Sequence, residues 1–310
     1  MNRHLAPLSS AFIIALMLFS CGNTANQAEV ITDSTSPFIM QDFDWQGHRG
    51  ARGLAPENTI PAFLKALTFP IKTLELDVVI AKDGGVIVSH EPWMSPTICL
   101  QPDGQALSKK LDEEFKIFEL STAEVQAFNC GKAHPRFPDQ VVEPTFKPSL
   151  QEVIEAVESF CKEKGRKLPH YNIEIKSKPT WDGLLTPSPA IFAQLVVDVI
   201  QASGIQGRAC IQSFDPRSLE AVHKIEPSIT TAYLIDKQVD IQRNMSLLSY
   251  QPEIYSPNHE ILTKAMVEGI HEMGMQIIPW TVNDKATMQK LINMGVDGII
   301  TDYPNYIPEL

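Results

Sequence analysis

The stretch "TLELDVVIA" (residues 73–81) has the composition of a buried β-strand, yet it carries two acidic residues. Side chains alternate between the two faces of a strand, so Glu75 and Asp77 share one face and the apolar residues share the other. Two carboxylates side by side in an apolar strand repel each other and lose hydration. A divalent cation would relieve both costs. A salt bridge from an Arg or Lys to one carboxylate is the alternative.

A second stretch, "YNIEIK" (residues 171–176), repeats this design, with Glu174 and Lys176 on one face. If the two strands are neighbours, Glu174 completes a set of three carboxylates. Three hard oxygen donors without Cys or an obligatory His suit one Mg²⁺ or Ca²⁺ ion rather than Zn²⁺ or copper. Lys176 would then face the same cavity as a positive charge suited to a phosphate oxygen. An internal Glu174–Lys176 ion pair is the alternative.

Outward from these strands, short β-branched runs alternate with amphipathic helical segments from residue 43 to the C-terminus. Eight strands separated by helices over about 250 residues predict an α/β fold, a (β/α)₈ TIM barrel. A doubly wound open sheet is the competing architecture. The predicted strands are 43–48, 73–81, 171–176, 208–214, 230–235, 253–257, 276–282 and 298–303. The predicted helices are 56–68, 149–164 with Ser149 as N-cap, 188–204, 215–225, 260–273 and 284–294.

One region after the second strand breaks this alternation. A "KDGG" turn and a short return strand, "VIVSH", lead into a proline-rich stretch from Glu91 to Lys147. A connection this long is usually functional or a small subdomain. Because it follows a strand, it would rise from the C-terminal rim, where TIM barrels carry their active sites. Cys99 and Cys130 both fall here and could form a disulfide; buried free thiols are the alternative.

The N-terminus reads as an export signal. An uncharged run of apolar residues, "AFIIALMLFS" (residues 11–20), is too short to span a bilayer and precedes Cys21. Because "LFSC" resembles a lipobox, we expect residues 1–20 to be a lipoprotein signal peptide and 21–40 a polar tether lipidated on Cys21. A plain secretory signal is the alternative. Gly22 is not a retention aspartate, so we expect an exported protein anchored to the cell envelope, at the outer membrane where two membranes exist.

The net charge of the chain is −11 at pH 7. A protein this acidic lacks the positive surface that binds the phosphate backbone of nucleic acids, so we expect no nucleic-acid partner. A small anion could still be bound by a local cluster of Arg, Lys and metal.

Two histidines stand at strand ends beside the predicted carboxylates. His48 lies in "GHRGARGLAPENT" (residues 47–59), and His90 ends the return strand. A lone His in such a place is more often a structural hydrogen-bonding group. Two at neighbouring rim positions favour proton transfer, since imidazole titrates near neutral pH. Together with Arg49, Lys176 and a metal, they would suit a phosphodiester.

These stretches together resemble the glycerophosphodiester phosphodiesterase family. The resemblance rests on "HRGARGLAPENTIPAF", "ELDVVIAKDGGVIVSHEP", "NIEIK", "QSFD", "PWTVN" and "GVDGIITDYP", which spread over residues 48–304 in the family's order. Here His90 is followed by Glu91, where many members have aspartate. We expect this change to be tolerated, because the histidine carries the chemistry.

The resemblance implies a TIM-barrel domain over residues 41–310, with residues 91–148 as an insertion over the substrate mouth. It implies that Glu75, Asp77 and Glu174 bind the metal, that His48 and His90 are the acid/base pair, and that Arg49 and Lys176 bind phosphate. The chain would curl after His48 so that His48 and Arg49 both reach the rim, a backbone that Gly50 and Gly53 would permit.

The implied reaction is hydrolysis of a small glycerophosphodiester to glycerol 3-phosphate and an alcohol, with His90 as acid for the leaving group and His48 as base. Phe214 and Trp280 either contact the carbon face of the glycerol or fill the core. Asp302 and Asn283 end their strands, where they could touch the site; we expect them instead to cap the segments that follow.

Two rival functions stay open at this point. One is a related phosphodiesterase that acts on lysophospholipids or glycerophosphoinositol. The other is a surface lipoprotein that binds a phosphorylated ligand without turnover, although a binder needs neither two histidines nor three carboxylates. The leaving alcohol and the oligomeric state are also open.

Overall fold

Eight parallel strands surround a central axis in the computed structural model, which describes residues 43–108 and 114–310. The predicted signal peptide and tether, residues 1–40, lie outside the described residues. The parallel strands are β1 Asp44–Gly47, β2 Thr73–Ile80, β4 His170–Ile175, β5 Ala209–Ser213, β6 Thr230–Ile235, β7 Ile254–Pro257, β8 Gln276–Ile277 and β9 Gly298–Thr301. They run in the order β8-β7-β6-β5-β4-β2-β1-β9, and the short β3, Val86–Val88, pairs antiparallel with β2.

The sheet closes on itself between its two end strands. The Asp297 and Ile300 amides donate to the carbonyls of Ile277 and Pro279, both at 3.0 Å. The TIM-barrel prediction is therefore confirmed, and the open doubly wound sheet is wrong. Strand β8 is much shorter than the predicted 276–282, because Pro279 has no N–H to continue a ladder.

Helices cover the outside of the barrel. In the described residues they are α1 Ile60–Ala66, α2 Thr122–Gln126, α3 Leu150–Lys164, α4 Pro189–Ala202, α5 Pro216–Ile225, α6 Ile241–Met245, α7 Lys264–Glu272 and α8 Lys285–Met294. Ser149 caps α3 as predicted. The first helix was predicted from Pro56 but begins at Ile60, where Thr59 caps it. No pattern predicted α6 or the short α2, which lies in the insertion after β3 and not on the barrel. Among the described residues, no helix is long and apolar enough to cross a membrane.

The register of the central strands sets the site. All of β2 is buried, and it pairs in parallel with β4 so that Asp77 lies opposite Glu174. The apolar face of β2 packs outward against the helices in the main core. Inside the barrel, amides fill a layer beneath the rim: Asn172 donates to Gln46 at 2.8 Å and to Gln212 at 3.0 Å. The strands therefore present their polar face to the barrel axis.

The stretch after β3 folds around a small apolar core of its own, which includes the Cys99–Cys130 disulfide. The disulfide is thus formed, and the free-thiol alternative is wrong for this pair. The same stretch then returns across the rim, where the Gln140 amide donates to the Arg52 and Ala55 carbonyls at 2.7 and 3.1 Å. The insertion therefore borders the turn that follows β1.

Candidate active site

Three carboxylates meet at the C-terminal ends of β2 and β4. Glu75, Asp77 and Glu174 are buried, and each offers one oxygen within 4.8 Å of the other two. The alternation along β2 puts the first two on one face, and the β2–β4 register adds the third. The convergence that the sequence predicts is present.

Burial and mutual repulsion shape the titration of this cluster. Burial, with Asp77 and Glu174 nearby, raises the pKa of Glu75 well above its usual value. Burial also raises the pKa of Glu174 to about 7, although Lys176 opposes the shift. For Asp77, the cost of burial is more than offset by Arg49, His90 and Lys176, so its pKa falls well below its usual value. Without a cation, then, the cluster favours holding protons on the two glutamates.

The donor set fits a hard divalent cation. Asp77 Oδ1 is buried without a hydrogen bond, and Lys176 Nζ lies 3.7 Å from it. The Lys176 ammonium instead pairs with Glu174 at 2.7 Å, which is the ion pair weighed as an alternative from the sequence. A divalent cation that prefers oxygen ligands would coordinate this unpaired carboxylate oxygen and would reduce the repulsion between it and the two neighbouring glutamates.

The turn after β1 places Arg49 against this cluster. Arg49 and Gly50 both have left-handed backbones, with φ of 49° and 84°. The Arg49 amide donates to Glu75 Oε2 at 2.9 Å. Its guanidinium donates to Glu57 at 2.7 Å, and its Nε lies 3.1 Å from Asp77 Oδ2. Arg49 therefore reaches the rim as predicted and is paired there with acidic groups.

The two glycines of this turn act differently. A Cβ on Gly50 would lie 2.5 Å from the Ala62 carbonyl carbon, so both φ and space require glycine. Gly53 does not adopt a positive φ, which corrects its predicted role. Its missing side chain instead lets the Tyr303 ring and the Asp302 carbonyl approach the backbone.

His48 is oriented by the last strand of the barrel. Its Nδ1 lies 2.6 Å from Asp302 Oδ1, and the Asn283 amide donates to the other Asp302 oxygen at 2.7 Å. The carboxylate accepts from Nδ1, which leaves Nε2 facing the site, 3.9 Å from Glu75. Burial lowers the pKa of His48, and Asp302 opposes that shift. The prediction that Asp302 and Asn283 cap the segments that follow them is wrong: Asp302 accepts from His48, Asn283 donates to Asp302, and Asp284 caps the next helix.

His90 has a different kind of partner. Its Nδ1 lies 2.8 Å from the carboxylate of Glu91, the next residue along the chain. Burial, followed by Arg49 and Lys176, lowers the pKa of His90 to about 4. The Glu91 side chain thus acts as the acceptor that orients the imidazole.

Several supporting residues escaped the sequence analysis. The buried Lys147 donates to Ser89 at 2.8 Å and ties the end of the insertion to the loop that carries His90. Gln212 donates to Glu75 at 2.7 Å, and Asn58 donates to Asp77 at 2.8 Å. Of these, Asn58 and Gln212 stood inside quoted motifs, which was the available signal.

Phe214 and Trp280 stand at the mouth of the site. Their rings meet edge to face with centroids 5.3 Å apart, and both line a cavity of about 210 Å³ shared with His48 and His90. Phe214 is exposed, whereas Trp280 also packs on the small core inside the barrel. The structure therefore places both in the cavity wall.

Several known proteins are similar to this chain in sequence and in architecture. It is 31% identical over 266 residues to a glycerophosphodiester phosphodiesterase of Caldanaerobacter subterraneus, covering 85% of this chain and 95% of that protein. A lysophospholipase D of Rattus norvegicus is 24% identical, covering 84% of each. The fold matches an Oleispira antarctica phosphodiesterase solved with its product sn-glycerol 3-phosphate, at a TM-score of 0.68 and 21% identity, covering 87% of this chain and 98% of that one.

The family model for glycerophosphoryl diester phosphodiesterases matches residues 48–306, from the first rim histidine to the final segment. That span contains every barrel strand except β1, the insertion after β3 and every residue of the site described above. The chain belongs to the glycerophosphoryl diester phosphodiesterase family.

Proposed function

We propose that this protein hydrolyses glycerophosphodiesters to glycerol 3-phosphate and an alcohol in a metal-dependent reaction, with His48 and His90 transferring the protons. One observation carries the proposal: two histidines, each oriented by a carboxylate, stand on the wall of one cavity with the acidic cluster between them. The relatives that bear this activity in their names support the choice of substrate.

Glu75, Asp77 and Glu174 would hold one Mg²⁺ or Ca²⁺ ion. Such an ion supplies positive charge that polarises the phosphoryl group. The three residues are buried, and each has its own partner: the Gln212 amide donates to Glu75, the Asn58 amide donates to Asp77, and the Lys176 ammonium pairs with Glu174.

Arg49 and Lys176 would bind the phosphate. Both side chains face the cavity and pair with the acidic cluster in the free protein. A substrate phosphate offers them a second anionic partner, and its negative charge also opposes their lowering of the His90 pKa.

The proton transfers follow from the orientation of the two rings. His48 Nε2 accepts the proton of the attacking group, a vicinal hydroxyl of the glycerol or a water, because Asp302 holds Nδ1. His90 donates a proton to the departing alcohol oxygen through the nitrogen that Glu91 leaves free. When a vicinal hydroxyl attacks, this step gives a cyclic phosphate of glycerol. A water then opens the ring, its proton going to the now neutral His90 and the proton on His48 going to the released hydroxyl oxygen, which yields glycerol 3-phosphate. Asp302 stabilises the imidazolium that forms on His48.

The decisive experiment is an assay of metal-stripped protein on glycerophosphocholine, with Mg²⁺ and Ca²⁺ restored separately. We expect activity to vanish on chelation and to return with one or both cations. His48→Ala should abolish turnover but leave metal binding intact. Wild-type rates in that variant would contradict the catalytic assignment, and binding of glycerophosphocholine without turnover by wild-type protein would instead favour the non-catalytic lipoprotein.

The cavity beside His48 favours glycerophosphodiesters over lysophospholipids. Its volume of about 210 Å³ suits a glycerol, whereas an acyl chain on that glycerol would have to leave the cavity. Parallel assays of lysophosphatidylcholine and glycerophosphoinositol test this preference. Faster cleavage of lysophosphatidylcholine would make the rat lysophospholipase D the better guide to the substrate.

The predicted export and lipid anchor on Cys21 remain part of the proposal, since residues 1–40 lie outside the described structure. This part of the proposal rests on the uncharged apolar run of residues 11–20 and on the "LFSC" stretch at its end. Expression of wild-type protein and Cys21→Ser in a bacterial host, followed by membrane fractionation, tests it. The wild type should sediment with membranes and the variant should not; equal solubility would contradict the anchor.

A further inference from the structure

A second cavity, of about 410 Å³, opens beside the one that contains His48. Its size lies in the range of ligand pockets, about 300–1,000 Å³. The two cavities share four lining residues, which are His90, Glu174, Lys176 and Phe214. His48 lines only the smaller cavity, so the groove runs from His48 past the acidic cluster and His90 into the larger space.

The walls of the larger cavity are aromatic. Trp93 follows His90 in the loop after β3, and Trp181 lies in the loop after β4. Their rings are edge to face with centroids 6.2 Å apart, and Phe214 completes the wall. Both indoles are only partly buried, so they offer apolar surface that a ligand would cover.

The charge at this wall opposes a cationic ligand. The Lys178 ammonium, which also lines the cavity, lies 3.9 Å from the centroid of Trp181 and covers one face of the ring, and a ring face is what attracts a quaternary ammonium. The two carboxylates that border the cavity are already paired with other side chains: Glu91 with His90, and Glu174 with Lys176. A positive head group would therefore meet a cation without a free anion to balance it.

We propose that the larger cavity is the subsite for the leaving alcohol, and that it selects an uncharged alcohol with a bulky apolar body over choline. This proposal rests on the proposed function, because His90 must protonate the alcohol that occupies the cavity. It assigns the glycerol to the smaller cavity and substrate choice to Trp93, Trp181 and Lys178.

The test uses two substrates of nearly equal shape, glycerophosphocholine and its carbon isostere, the 3,3-dimethylbutyl ester of glycerol 3-phosphate. The methyl ester serves as the reference because its leaving group is too small to reach the indoles. Trp181→Ala is expected to lower the ratio of kcat/KM for the dimethylbutyl ester to that for the methyl ester by about tenfold. Leu184→Ala, an exposed apolar residue 63% accessible in the same loop and outside the cavity lining, is the matched control and should leave the ratio unchanged.

Lys178→Met separates charge from shape, since it keeps an unbranched side chain and removes the ammonium. We expect it to raise kcat/KM for the choline ester relative to the dimethylbutyl ester by about fivefold. Comparing ratios between variants cancels the intrinsic reactivity of the two alcohols. The charge effect should shrink at high ionic strength, which a simple folding defect would not do.

The possible outcomes distinguish the subsite proposal from the proposed function on which it rests. Hydrolysis of the methyl ester with ratios that neither variant changes would overturn the subsite and leave the proposed function standing. If wild-type protein with metal hydrolyses none of the three esters, the proposed function fails and takes the subsite with it. A lowered dimethylbutyl ratio in Trp181→Ala together with a raised choline ratio in Lys178→Met supports both.

Discussion

The two histidines of the site are each paired with a carboxylate, but the chain builds the two pairs differently. His48 pairs with Asp302, which lies near the other end of the sequence, and the two side chains are 12% and 3% exposed. His90 pairs with Glu91, its immediate neighbour in the sequence, and these two side chains are 32% and 27% exposed. The first pair exists only when β1 and β9 meet, whereas the second is local to one loop.

This difference matches the two ends of the proposed substrate. The glycerol end is constant, so a base held rigidly by the closed barrel suits it. The alcohol end varies, so an acid on a more exposed loop can adapt to it. In the proposed reaction, the buried pair would therefore serve the chemistry common to all substrates, and the more exposed pair would serve the choice of leaving group.

The largest expected effect separates the roles of the two rings. His48→Ala and His90→Ala should each lower kcat/KM on glycerophosphocholine by about 10²–10⁴-fold. The p-nitrophenyl ester of glycerol 3-phosphate has a leaving group that needs no proton. On this ester the kcat/KM of His90→Ala should come close to that of the wild type, whereas the kcat/KM of His48→Ala should remain low. His271→Ala is the control, since it also pairs with a carboxylate, Asp297 at 2.9 Å, but lines neither cavity. Equal losses on both substrates for His90→Ala would contradict its role as acid.

The next effect is on stability and tests the rigidity of the His48 side. Gly50→Ala must accept a left-handed φ of 84° and a Cβ 2.5 Å from Ala62, so we expect it to lower the free energy of unfolding by about 3–5 kcal/mol. Gly165→Ala, at φ 60° with open space around it, should cost about 1 kcal/mol. Urea denaturation measures both. Equal losses would show that φ alone, and not the close approach to α1, fixes this turn.

The contrast between the pairs also shows how far sequence reasoning reaches. The acidic cluster was predictable because strand alternation fixes which residues share a face, and the strand order of a barrel makes β2 and β4 neighbours. The role of Asp302 was not predictable from the sequence. An aspartate at the end of a strand can cap the following turn, or it can contact a residue of the neighbouring strand. Only the three-dimensional meeting of β1 and β9 decides between these.

The local errors have equally physical causes. Pro56 suits the first turn of a helix, but Asn58 adopts a left-handed φ of 56° and donates to Asp77, so α1 starts later, at Ile60. Lys147 lies at the end of an irregular stretch, where no periodicity indicates burial. In both places tertiary contacts with the site override local propensity.

A smaller effect distinguishes the two carboxylate partners by pH. Asp302→Asn and Glu91→Gln each keep an acceptor oxygen but remove a charge that favours imidazolium, so each lowers the pKa of its histidine. A base must be neutral and an acid protonated; Asp302→Asn should therefore move the acidic limb of the kcat/KM profile to lower pH, and Glu91→Gln the basic limb. We expect losses at pH 7 of about 10²-fold and about tenfold, because the buried pair depends more on its single carboxylate. If both variants moved the same limb, the division of roles would be wrong.

The smallest effect concerns Glu174, in the acidic cluster that lies between the two pairs. Its pKa in the folded protein is about 7 against an ordinary value of 4.5, so below pH 7 a cation must displace a proton to bind there. The dissociation constant for Mg²⁺ or Ca²⁺, measured by calorimetry, should rise as pH falls below 7, by up to about tenfold per pH unit for Glu174, and the raised pKa of Glu75 adds to this dependence. Glu174→Gln removes one of the two titrating ligands, so it should bind the cation more weakly but with a flatter pH dependence. The same shift makes the metal-free protein lose stability as pH rises from about 4.5 through 7, since the folded state holds the proton more tightly than the unfolded chain. A wild-type dissociation constant equal at pH 5.5 and pH 8 would mean that Glu174 is not a ligand, and the cluster would then serve only to position Arg49 and Lys176.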